Sequence, residues 1–167
     1  MLPNIKNILY ATDLSANARL ALGFAAVLAD RHDAEVTVLH VLPDSLELLS
    51  EEAGMDLAQT FGEKAAYWID KGEKDKAIQA IHERLEGIAR EEFTTPGSPA
   101  HLAGARIKVV CGDAAQRIVA ETESGNFDMV VMGTHGQTGL MGILLGSVAT
   151  ETIRHCKIPI LVVPLPE

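Results

Sequence analysis

An α/β fold, an open parallel sheet with helices on both faces, is what this sequence predicts. Three observations carry that prediction. Five short apolar runs recur along the chain, and all but the first are rich in valine or isoleucine. Several of them are continuous rather than alternating, which suits strands covered on both faces. Helical patterns separate consecutive runs, giving the order β-α-β-α-β-α-β-α-β and hence parallel strands joined by right-handed crossovers.

The first run is "NILYA", Asn7 to Ala11. The helix after it starts at Ser15, a residue type that caps helix N-termini, and Leu20, Phe24, Val27 and Leu28 recur in it at helical spacing. The second run, "EVTVLHVL", spans Glu35 to Leu42. From Pro43 to about Lys76 the chain is longer than a crossover needs, so an inserted helical or mobile segment is expected over roughly 44–76. Ile78, Ile81, Leu85 and Ile88 then mark a second helix, and "TTPGSPAHLAG" (Thr94 to Gly104) reads as a loop. "RIKVVC" (Arg106 to Cys111) is the third strand, and the helix after it opens on the acidic cap Asp113. "DMVVM" (Asp128 to Met132) is the fourth. The last helix opens at Gly146-Ser147 and closes on Arg154 and His155, cations that favour a helix C-terminus. "IPILVV" (Ile158 to Val163) is the fifth strand. No internal repeat or second domain interrupts residues 1–167.

Composition narrows the function classes. At 167 residues and 47% hydrophobic content, the chain can bury a core and is not a disordered polyelectrolyte. A formal net charge of −9 leaves no phosphate-neutralising surface, and 4% aromatics leave few stacking platforms, so nucleic acid is not an expected partner. No basic stretch precedes an apolar segment at the N-terminus, and no apolar run reaches about 18 residues, so neither a signal peptide nor a membrane span is expected. Cys111 and Cys156 lie in apolar runs without CxxC spacing, as small buried thiols in a reducing cytoplasm would. The histidines are scattered and form no zinc-ligand pattern.

In open α/β sheets a ligand binds beyond the carboxyl ends of the strands, where strand order reverses. After the first strand comes "ATDLS"; after the fourth comes "MGTHGQTGLMGILLGSVA", Met132 to Ala149, with five glycines. Gly133 and Gly136 can adopt positive φ and, lacking Cβ, let amide N–H groups face an anion. Gly146-Ser147 opens a helix whose free amides and dipole favour phosphate, with hydroxyls of Ser147 and Thr134 as further donors. Asp13 is itself negative, and fits such a site by holding ribose hydroxyls or a phosphate-borne Mg²⁺.

These residues resemble the universal stress proteins, specifically their ATP-binding branch, which carries G-x2-G-x9-G-[S/T] after the fourth strand. Gly133, Gly136, Gly146 and Ser147 match every fixed position of that motif. The resemblance extends through "NILYATDLS", "HVLP", "VVCGD", "DMVVMGTHG" and "IPILVVP", nearly the whole chain. It implies sheet order 3-2-1-4-5, a Rossmann-like arrangement of the adenine nucleotide alpha hydrolase type, which brings Asp13 beside Gly133. It further implies that Ala11, Thr12 and Asp13 line the adenosine, with Asp13 toward ribose or metal. Val41 would offer backbone groups to the adenine edge, and Met132 and Gly133 would pack near the ribose. His135, Gly136, Gly146, Ser147 and Val148 would meet the phosphates. Two positions depart: Ala11 stands where relatives often carry proline, and Ala149 where they often carry a hydroxyl residue. The implied ligand is ATP, AMP or ADP with Mg²⁺, and the implied assembly a homodimer paired along the apolar last strand. The segment after the second strand is either a lid over the nucleotide or a surface elaboration.

Three functions are compatible with these residues. The first is a cytoplasmic ATP-binding regulator of the stress response that acts on a protein partner, with slow hydrolysis left open because no residue reads as a general base or a Walker lysine. The second is an enzyme acting at the α-phosphate, for which only Cys111, His40 or the insertion offers a second pocket. The third is an interaction module without nucleotide, against which the intact glycine motif stands.

Overall fold

A computed structural model of the chain describes residues 4–14, 18–42, 62–94, 104–134 and 145–164. Its strands are β1 (Asn7–Thr12), β2 (Glu35–Leu42), β3 (Arg106–Cys111), β4 (Met129–Gly133) and β5 (Ile160–Val163). Its helices are α1 (Ala18–His32), α2 (Glu63–Asp70), α3 (Lys74–Thr94), α4 (Ala114–Ser124) and α5 (Ser147–His155). All strand pairs are parallel, in the order β3-β2-β1-β4-β5.

The continuous apolar runs are explained by two separate cores. Ile8, Tyr10, Val36, Val38 and Val131 face α1, α2 and α3 on one side. Leu9, Ala11, Leu39, Val130 and Met132 face α4 and α5 on the other. Cys111 packs on the first side and Cys156 on the second, so the sheet separates the two thiols, and both are free.

Helix α1 corrects the pattern read from the sequence. Its buried face is Ala18, Ala21, Leu22, Ala25, Ala26 and Ala29; of the expected stripe of larger residues, Leu28 is half-buried and packs against this core. Leu20, Phe24 and Val27 point away from the sheet and are 42%, 47% and 50% exposed. Alanines let the helix axis approach the strands closely, and a hydropathy pattern weights them too lightly to reveal the face that they form. The proposed Ser15 cap lies outside the described residues.

Residues 44–61 of the expected insertion also lie outside them. Its remainder holds α2 and the start of α3, and these two helices pair as a hairpin. The side chains of Ala65 and Ile69 in α2 and of Ala77, Ala80 and Ile81 in α3 are buried in the first core, and Ile78 packs against it. The side chains of Leu85 and Ile88 are outside the described residues. The hairpin is closed on its surface by Lys64–Glu83 at 2.7 Å and by the Lys76 ammonium over the Trp68 ring at 4.3 Å. Helix α4 begins as its cap predicts: the Asp113 carboxylate accepts the Gln116 amide at 2.9 Å.

Candidate functional site

Strands β1 and β4 are clamped at their amino ends and part at their carboxyl ends. The Asp128 carboxylate, just before β4, accepts the backbone N–H groups of Lys6 and Asn7 at 2.7 and 2.8 Å. The β1–β4 register then runs from Ile8↔Met129 to Tyr10↔Val131 and stops. Beyond that point β1 pairs only with β2, up to Thr12↔His40, and β4 only with β5, up to Gly133↔Val163. The crevice therefore opens at the point where chain order reverses, the site that such sheets offer a ligand.

The β1 lip is fixed by side chains. The Thr12 hydroxyl accepts the Leu14 amide at 3.1 Å, a tight turn around Asp13. Leu14 has φ 66°, a left-handed conformation that costs a bulky residue about 1 kcal/mol or more. The Thr12 carbonyl is held from β2 by His40 Nδ1 at 2.8 Å. A carbonyl can only accept, so Nδ1 carries the proton. His40 is 3% exposed. Burial pushes its imidazole pKa below the ordinary value, while the Thr12 carbonyl and the nearby Asp13 charge offset part of that fall. Asp13 itself is half-buried, with Oδ2 shielded from solvent. Tyr10 ties the same lip to α1, its hydroxyl donating to the Ala18 carbonyl at 2.6 Å.

The β4 lip is fixed by backbone. Gly133 ends the strand, and the Thr134 amide continues toward β5 by donating to the Val163 carbonyl at 3.0 Å. The Gly146 amide donates back to the Thr134 carbonyl at 2.7 Å. That bond brings together the two ends of the glycine-rich loop, whose residues 135–144, including His135 and Gly136, lie outside the described residues. Helix α5 starts directly after the clasp. Its capping residue Gly146 makes no side-chain bond, and the first-turn amides, on Ser147, Val148 and Ala149, are ones that an α-helix leaves without an acceptor of its own.

Two sequence expectations change here. Gly133 is not among the positive-φ glycines, and Gly146 has φ −69°, so neither is required for backbone conformation. The Gly146 amide is also committed to Thr134, so the anion-facing donors at this terminus begin at Ser147.

The other residues expected at the site take varied positions. Ser147 and Val148 are exposed at the start of α5. Ala149 is buried in the second core, so the hydroxyl that relatives often carry would lie beneath the helix. Ala11 is buried under the β1 lip and Met132 under the β4 lip, both in that core. Val41 is half-buried near the carboxyl end of β2, one strand from β1, and pairs with Val110. Sequence reasoning missed the link from His40 to Thr12, because a histidine inside a strand run carries no signal of what it bonds. The link appears only once the strands are in register, with His40 directly opposite Thr12 at the end of β1.

No group of three metal-ligating side chains exists among the described residues. Nor is any described helix long and apolar enough to cross a membrane.

Known proteins share this architecture. A model of the universal stress protein family matches residues 4–164. The universal stress protein MJ0577 of Methanocaldococcus jannaschii is 31% identical over 167 residues, covering 95% of this chain and 94% of its own. MJ0531 of the same organism is 31% identical, covering 97% and 84%. The solved structure of MJ0577 has a TM-score of 0.62 at 28% identity, covering 98% of this chain and 99% of its own. A solved universal stress protein in complex with cAMP shares the fold, with a TM-score of 0.58 at 19% identity and cover of 98% and 99%.

Proposed function

The chain belongs to the universal stress protein family, and from that premise we propose that it binds an adenine nucleotide between β1 and β4 and acts as a cytoplasmic regulator of the stress response. The observation that carries this reading is the parting of the two strands after Tyr10 and Val131, with Asp13 on one lip and the open amides of α5 on the other. In this reading ATP, or AMP or ADP, lies across the crevice. The amides of Ser147 and Val148 and the Ser147 hydroxyl take phosphate oxygens, joined by His135 and Gly136 from the loop. Asp13 faces the ribose hydroxyls or Mg²⁺. The Val41 backbone meets the adenine edge, and Ala11, Thr12, Met132, Gly133 and Gly146 supply the walls. One carboxylate and no acidic cluster among the described residues fit a Mg²⁺ ion carried mainly by the phosphates, with Asp13 as its protein ligand. The ion would neutralise phosphate charge there.

The two sheet edges support a homodimer through β5. On β3, Arg106 and Lys108 are exposed and ion-paired to Glu35 and Glu121, at 3.2 and 2.7 Å, which blunts that edge. On β5, Ile160, Leu161 and Val162 are apolar and only half-buried, with no charge among them. Sedimentation at micromolar concentration tests it: a dimer is expected, and a monomer overturns the pairing.

The functional test is thermal unfolding of nucleotide-stripped protein with Mg-ATP, AMP, cAMP, GTP and NAD. A ligand at about 100 times its Kd stabilises by about 2.7 kcal/mol. An adenine-selective rise in Tm is the expected result. No rise with any nucleotide would overturn the reading in favour of an interaction module, and multiple turnovers with a defined acceptor would replace it with an enzyme.

A further inference from the structure

We infer that His40 is a positioning residue of the nucleotide site, holding the exit of β1 through the Thr12 carbonyl so that Asp13 is presented to the crevice; the inference rests on the nucleotide reading above. Beyond Tyr10, β1 has no strand pairing with β4, so among the described residues its ladder continues with β2 alone. In that stretch the Thr12 carbonyl accepts from His40 Nδ1 at 2.8 Å, and the Thr12 hydroxyl accepts from the Leu14 amide at 3.1 Å. Asp13 lies between these two anchors. Leu14 is kept at φ 66°, a conformation that persists only when its surroundings over-determine it. A released Thr12 carbonyl would let this turn relax and swing the carboxylate that comes after it.

A surface or packing role does not account for the choice of histidine. The ring is 3% exposed, and leucine or valine at a buried strand position would carry no desolvation cost. A donor at the Nδ1 position is what the carbonyl requires. Burial keeps the imidazole neutral, so it donates without placing a second charge beside Asp13.

Asparagine can place an N–H near the Nδ1 position, whereas glutamine mimics Nε2 and alanine neither. Mg-ATP affinity is measured by calorimetry for His40→Asn, His40→Gln and His40→Ala, each alone and combined with Asp13→Ala. The expected result is a loss of about tenfold for Gln and Ala, the scale of one hydrogen bond, and less than about threefold for Asn. In the Asp13→Ala background the same changes should add less than about twofold, since a residue acting through Asp13 has nothing left to position. Equal losses for Asn and Gln, or losses that multiply with Asp13→Ala, overturn the inference while the nucleotide reading stands. Absence of binding to the unsubstituted protein overturns the nucleotide reading and the inference together. Nitrogen-15 NMR of the unsubstituted protein needs no variant to fold. The His40 Nδ1–H resonance and the Asp13 and Leu14 amides should move on saturation with Mg-ATP, and unmoved resonances overturn the inference.

Discussion

The two lips of the crevice are built on different principles. The β4 lip is made of backbone: the Thr134 amide on the Val163 carbonyl, the Gly146 amide on the Thr134 carbonyl, and the open first turn of α5. The β1 lip is made of side chains: the Thr12 hydroxyl, the His40 imidazole and the Tyr10 hydroxyl that reaches α1. A backbone surface offers donors at fixed spacing to any anion that fits. A side-chain scaffold can aim one group, here Asp13, and can be altered one atom at a time. The difference implies that the lips respond to different substitutions.

The largest effect should come from adding a side chain to the β4 lip. Gly133→Val and Gly146→Val both place carbon where the crevice now meets bare backbone. Neither position has a positive φ that valine would resist, and circular dichroism of each variant separates loss of binding from loss of fold. Affinity for Mg-ATP should fall by at least about 100-fold, about 2.7 kcal/mol, in calorimetry. Valine variants that bind as well as the unsubstituted protein would show that this lip does not touch the ligand.

The contrast also explains what can be read from the sequence. The described part of the β4 lip is legible because Gly133 follows an apolar strand run and Ser147 opens α5 where the sequence places them. Bounds of β2 and β3 are legible because their apolar runs stop sharply at Leu42 and Cys111. The β1 lip is legible only in Asp13. His40 sits inside "EVTVLHVL", where any residue reads as strand filler, and its bond to Thr12 exists only once the two strands are in register. The face of α1 is hidden for a related reason. Alanines touch the sheet while Leu20, Phe24 and Val27 do not, and hydropathy ranks them in the opposite order. The first helix of the hairpin, α2, is only eight residues long, and its core-facing stripe of Ala65, Trp68 and Ile69 is too short to set it apart within the expected insertion.

A smaller effect should come from removing one oxygen on the β1 lip. Thr12→Val keeps the shape of the side chain and leaves the Leu14 amide without its acceptor. An unmatched, half-buried donor beside a left-handed residue should cost about 1.5 kcal/mol, or about 4 °C in Tm for a chain of this size. An unchanged Tm would mean that the turn around Asp13 is held by His40 alone.

The smallest expected effect separates the lips by pH. The described part of the β4 lip, Gly133, Thr134 and Leu145 to Val148, has no titratable side chain, whereas the β1 lip contains Tyr10, Asp13 and His40, of which histidine is the residue type that titrates near neutrality. Burial lowers the His40 pKa in the folded protein, and the unfolded value is about 6.5. Well above that pH neither state binds the proton, so His40 contributes no pH dependence there. Below it the unfolded chain takes up a proton that the folded chain refuses, and stability falls as pH falls. For one such group the loss between pH 7 and pH 6 is at most about 0.7 kcal/mol by proton linkage. The exposed carboxylates of Glu83 and Glu123 are pulled below their ordinary range by Lys64 and Lys157, so they titrate under this window. Urea unfolding at a series of pH values in that interval should therefore show a decline that His40→Asn removes. A decline that survives in His40→Asn would assign it to another group and leave the β1 lip as insensitive to protons as its partner.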